Sequence, residues 1–189
     1  MGRFVGNENG NTLGFLTVLE HPEHGLFGGY LVLNTFGRPL EFHCTAPIKA
    51  NRAQQILYGP TLHAFLYGDQ IGRTLLEKAK AEPLLVCTDR EPALAIREHI
   101  SAPVALVLPP KEEGADVNRE RPPAEDGNAG PHLQTFGVGR NRLAVDRRAE
   151  DDRGRIADRL EDLGESFDLA EPFLRIREAI EEARQSVRQ

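Results

Sequence analysis

The chain has 189 residues, 40% of them hydrophobic, with 23 basic and 29 acidic side chains and a formal net charge of −6. That apolar content supports a packed core and excludes a wholly disordered chain. The negative balance excludes non-specific coating of nucleic acid and adsorption to an anionic membrane, since both need a basic surface. No apolar run approaches the roughly 20 residues that span a bilayer. The opening stretch "MGRFVGNENGNTLG" has no signal-peptide apolar core, and Gly6 breaks the myristoylation pattern. Cys44 and Cys87 supply no disulfide framework. The expectation is a soluble cytoplasmic protein with reduced thiols.

Three strand-like runs come first, "TLGFLTVL" (residues 12–19), "LFGGYLVL" (26–33) and "PLEFHCT" (39–45). The turn-rich segments "EHPEHG" and "NTFGRP" separate them. Short links between apolar runs predict an antiparallel meander. In the third run Leu40, Phe42 and Cys44 share one face, and Glu41, His43 and Thr45 share the other. The period then changes. Asn51 and Gln54 have capping-box spacing before "RAQQILY", Gly59 suits the position after the helix, and Pro60 stops it. A longer helix starts near Thr61. Its stripe is Leu62, Phe65, Leu66, Leu75, Leu76 and Ala79, and Gly68 and Gly72 mark close packing.

"PLLVCTD" from Pro83 is continuously apolar, as in strands covered on both faces. "REPALAIREHI" reads as a helix, and "APVALVLP" as a second buried strand. Such a strand–helix–strand unit is parallel with a right-handed crossover. The expected class is therefore α/β (α+β), with a mixed sheet in the order β-β-β-α-α-β-α-β. This order resembles that of ribonuclease-H-like domains, a likeness of topology that carries no activity.

Residues 110–132 are rich in Pro, Gly and charge and read as a flexible linker. Residues 1–110 hold 9 basic and 10 acidic side chains, whereas the shorter remainder holds 14 and 19. This break predicts a core domain over 1–109, the linker over 110–132, and a charged C-terminal segment over 133–189. That segment would hold one strand or a hairpin around Gly139 to Asn141, and two helices. One helix carries Ile156, Leu160 and Leu163. Asp168 and Glu171 resemble a capping box before the second, where Phe173, Ile176, Ile180, Ala183 and Val187 form a narrow apolar seam.

If strands one, three and four run the same way, their carboxyl ends share one sheet edge. Open α/β sheets bind ligands at such an edge. That edge would gather Glu20, His21, His24, His43, Cys44, Cys87 and Asp89. Each residue also has a plain structural reading. Cys44 and Cys87 suit a core, Asp89 suits a cap at a strand-to-helix turn, and His21 and His24 bracket an exposed turn. No zinc spacing, phosphate loop or nucleophile elbow is present. The arginines of "GRNRLAVDRR" are followed at once by Glu150, Asp151 and Asp152, which reads as a self-paired solvated segment.

Two functions follow as expectations. The leading one is a non-catalytic interaction protein without a cofactor. Its seam of Phe173, Ile176, Ile180 and Val187 docks on a protein partner or another copy, and the core folds without residues 134–189. The alternative is a divalent-metal phosphodiesterase or small-ligand enzyme, with Glu20 and Asp89 binding Mg²⁺ or Mn²⁺ and His43 as general base. It requires all three side chains in one pocket. The strand pattern also predicts a buried Cys44 whose replacement by Ala costs about 1 kcal/mol through a small cavity.

Overall fold

The computed structural model describes residues 11–109, 130–161 and 167–186. Strands β1 (Thr12–His21), β2 (Gly25–Asn34) and β3 (Pro39–Cys44) form the expected antiparallel meander. β4 (Leu85–Thr88) lies parallel to β1, and β5 (Val104–Leu108) parallel to β4. Strands β1, β3 and β4 therefore run in one direction. β6 (Leu133–Val138) and β7 (Asn141–Asp146) form a hairpin, and β7 pairs antiparallel with β5. The result is one mixed seven-stranded sheet in the order β3-β2-β1-β4-β5-β7-β6. The hairpin turns at Gly139, whose φ of +55° supplies the positive first position that a two-residue type II′ turn needs.

The sheet is the middle layer of three. On one side lies a continuous helical stretch built from α2 (Leu62–Ala64), a π-helical segment Phe65–Gly72 and α3 (Arg73–Lys78). The 3-10 helix Glu91–Glu98 lies beside it, where the sequence predicted an α-helix. Leu16, Val18, Tyr30, Val32, Ile71, Leu75, Val86 and Ile96 form the core on this side. On the other side lie α4 (Glu150–Glu161) and α5 (Glu171–Ser186), over a core that includes Leu13, Phe15, Leu31, Cys87, Val107, Leu143, Ile156, Phe173 and Ile176. β4 divides its side chains between the two cores, as its unbroken apolar run implied. The short α1 (Arg52–Tyr58) buries no residue, although its capping box forms as expected between Asn51 and Gln54.

The double glycine of "LFGGYLVL" shows how closely both layers approach the sheet. A Cβ on Gly28 would overlap Ile71, and one on Gly29, facing the other way, would overlap Ile176. Only glycine lets helices seat on both faces of β2 at adjacent positions.

Residues 133–161 and 167–186 do not stand apart from residues 11–109. β7 extends the sheet beyond β5, and α5 packs across β1 and β2. Phe173 is 2% exposed and meets Phe15 edge-on at 5.7 Å between ring centroids. The seam of Phe173, Ile176 and Ile180, expected to meet a partner, is buried on the chain's own sheet, and Val187 lies outside the described residues. The physical reason is area. The α5 face of β1 and β2 is itself apolar, and a 16-residue amphipathic helix is the element that covers it. Asp168 also departs from the expected capping box, because its Oδ1 accepts the Ala170 N–H at 2.9 Å. Glu171 instead pairs with Arg175.

Candidate functional site

The carboxyl ends of β1, β3 and β4 do share one edge, but the candidate side chains there diverge. Glu20 continues the Leu16–Val18 face of β1 and accepts a hydrogen bond from the Tyr67 hydroxyl in the π-helical layer. Burial, together with that carboxylate, raises the Tyr67 phenol above its ordinary pKa. Asp89 lies on the opposite face. Its Oδ1 accepts the Thr17 hydroxyl at 2.5 Å, and its Oδ2 pairs with Arg177 of α5. Asp89 is thus a tie between β1 and α5 and does not cap the 3-10 helix, which has no side-chain cap.

His43 is on the Glu20 side of the sheet but two strands away on β3, where its Nε2 lies 3.0 Å from Glu41 Oε2. Glu20, Asp89 and His43 therefore share no pocket. The geometric requirement of the phosphodiesterase reading is not met. His21 and His24 stack at 4.6 Å, and His21 Nδ1 accepts the Glu23 and His24 N–H groups, so this pair organises the β1–β2 turn. Among the described residues no three His, Cys, Asp or Glu side chains cluster as a metal site requires. A cleft of about 810 Å³ lies between α2, the 3-10 helix and the ends of β6 and β7. Several charged groups around it meet in pairs, Asp69 with His99, Glu91 with His132, and Asp146 with Arg148, and Arg97 is held by Asp152.

The two cysteines separate. Cys87 is fully buried in β4, and burial raises its thiol pKa. Cys44, expected in the core, is exposed. The alternation holds for Phe42 and Cys44, which oppose Leu31 and Gly29 on the α5 face of the sheet. The element covering that face, α5, sits over β1 and β2, and among the described residues Phe42 and Cys44 of β3 stay exposed. A thiol reagent is accordingly expected to label Cys44 rapidly in the native protein and Cys87 only after denaturation. Cys44→Ala should change stability by less than about 0.5 kcal/mol. Slow native labelling at Cys44 would contradict the exposed placement.

β3 thus combines two features. Among the described residues it is the terminal strand of the sheet, and Phe42 on its α5-side face is 39% exposed, with Leu40 at the bulge 43% and Phe36 in the preceding turn 92% exposed. Its backbone is oriented by the ladder. The Thr45 N–H donates to Gly28 O at 3.0 Å. Alternation along an antiparallel pair then makes Glu41 and His43 the residues bonded to Val32 and Tyr30. The N–H and C=O groups of Phe42 and Cys44 point to the open edge. A bulge at the Val32/Leu33 step interrupts the pairing at the start of the strand.

The opposite face of β3 is anchored. Glu41 accepts the N–H groups of Lys80 and Ala81 at 2.9 and 2.7 Å, just beyond α3. Burial opposes its ionisation, but the His43 bond and these two N–H groups outweigh that and hold the carboxyl below its ordinary value of 4.5. A depressed carboxyl contributes stability above the unfolded-state value and loses it as pH falls through the folded one. Glu41→Gln is therefore expected to cost about 1–2 kcal/mol at pH 7, and to lose that deficit well below pH 4.5. Urea melts at the two pH values would show it; an equal deficit at both would refute the charge-assisted anchor.

No helix among the described residues is long and apolar enough to cross a membrane. No protein-family model matches the chain, and no curated protein matches it in sequence.

Proposed function

We propose that this chain is a non-catalytic interaction protein whose binding element is the open edge and bare apolar face of β3. The observation that carries the reading is the coincidence of both features on one strand. An unpaired edge offers main-chain hydrogen bonds to an added strand, and exposed alternate side chains offer it apolar contacts. Neither Lys nor Arg lies in β3, and its Glu41 and His43 are turned to the anchored face. The α5 seam has its own sheet to cover and is not the contact surface in this reading.

The test is co-purification with full-length wild-type and Phe42→Lys baits, with quantified recovery. A partner held through β3 should fall at least about tenfold with the charged variant, the equivalent of about 1.4 kcal/mol. Leu174→Lys, at an exposed position of α5, should recover it fully. Equal recovery by the wild-type and Phe42→Lys baits contradicts the reading.

A further inference from the structure

We infer that the concavity at the start of α4 is an anion site for a single phosphate group, carried by inorganic phosphate or by a small phosphate monoester. The inference is independent of the contact at β3, which lies at the other end of the sheet from β7 and β6. The concavity has a volume of about 650 Å³, and Arg97, Arg147, Arg148 and Arg155 line it together with Asp151 and Asp152. Four guanidinium groups are thus set against two carboxylates, in a chain whose net charge is −6.

In sequence, "GRNRLAVDRR" reads as paired with the acids that follow it, but Asp152 is committed elsewhere. Its carboxylate is shared by Arg97, at 2.6 and 3.1 Å, and by Arg155, at 3.2 Å. One carboxylate between two guanidinium groups leaves a positive charge uncompensated. Among the described residues Arg147 pairs with no carboxylate, and its Nε donates to the Pro131 carbonyl at 3.0 Å. Arg148 lies 3.4 Å from Asp146 and is 82% exposed, so that pair is weak. The 12-residue α4 adds the positive end of its dipole.

Three of the arginines are also held in place. Arg97 Nη1 donates to Ile100 O at 2.9 Å and Arg155 Nη2 to Ser101 O at 3.0 Å, as Arg147 does to Pro131. Main-chain carbonyls are neutral, so they orient the guanidinium forks without cancelling their charge. Such prepositioned forks, from the 3-10 helix, the β7–α4 turn and α4, suit the several oxygens of a phosphate, which carries close to two charges at neutral pH. The acids limit what else fits. Asp146 and Asp151 stand among the arginines, so the next phosphate of a nucleic-acid chain would meet a carboxylate.

The test is titration of the full chain with inorganic phosphate and with phenyl phosphate at fixed ionic strength, followed by calorimetry and by melting temperature. Both probes should bind saturably at one site and raise the melting temperature. Tighter binding of phenyl phosphate makes the ligand an ester, and equal binding makes it phosphate itself. Arg147→Gln should weaken binding at least about tenfold. Arg140→Gln removes the same charge from the same run outside the concavity, and should weaken it less than about twofold. Both positions are exposed, and circular dichroism checks that the variants fold. Asp151→Asn should tighten binding. The absence of both a saturable heat and a melting shift up to about 10 mM probe overturns the inference. So do equal losses for Arg147→Gln and Arg140→Gln, which mark a diffuse charge effect. Tighter binding of a single-stranded oligonucleotide than of phenyl phosphate also overturns it, because the surface would then read a polyanion.

Discussion

Phe173→Ala is expected to destabilise the fold by about 3–4 kcal/mol, seen as a lowered urea midpoint with little change in slope. The side chain is 2% exposed, lies against Phe15, and belongs to the same cluster as Leu31 and Ile176. Truncation removes a large aromatic contact and leaves a cavity under a helix whose seating on Gly29 allows little collapse. Deleting residues 133–189 should go further. It removes β7 from the edge of β5 and uncovers the α5 side of β1 and β2, so the remainder is expected not to fold cooperatively. A tethered helix would give the reverse result, with a normal melt for the truncated chain and no cost for Phe173→Ala.

Asp152→Asn is the second large effect, with an expected loss of about 2–3 kcal/mol. Asp152 is 1% exposed, and its carboxylate takes the Arg97 Nε at 2.6 Å and Nη2 at 3.1 Å, with Arg155 Nη1 at 3.2 Å. This bidentate pair ties the start of α4 to the 3-10 helix on the other side of the sheet, and it raises the Arg97 pKa. Breaking a buried pair costs about 3–5 kcal/mol when both charges are sequestered. Arg97 keeps 32% of its side chain in solvent, which lowers the figure. Asp151→Asn, one residue away and exposed, should change stability by less than about 0.5 kcal/mol. Equal effects at the two positions would mean that the pair contributes nothing specific.

These two residues show what the sequence could and could not reveal. Local pattern carried the meander, the Asn51 capping box and the doubly covered β4, because each is set by near neighbours, and it left a single strand or a hairpin open around Gly139. The pairing of β7 with β5 is set by residues far apart in the chain, on either side of a segment with the composition of a linker. No local signal announces it, so the C-terminal residues looked like an appendage. Asp152 sits in a run of acids, and nothing in the run distinguishes the member that meets Arg97. The alternation of Leu40, Phe42 and Cys44 was plain, but whether that face is buried depends on where α5 lands. Gly28 and Gly29 were the available clue, since adjacent glycines on opposite faces mark β2 as the strand both layers press upon.

Hydrogen exchange on the full-length protein separates the two candidate contact elements most directly. The amides of Phe173 to Ala183 in α5 should exchange slowly, since their helix is held by the chain's own core. The amides of Phe42 and Cys44, which point to the edge of the sheet, should exchange quickly. Fast exchange in α5 with slow exchange at Phe42 and Cys44 would contradict the assignment of the contact to the strand edge and return it to the helix.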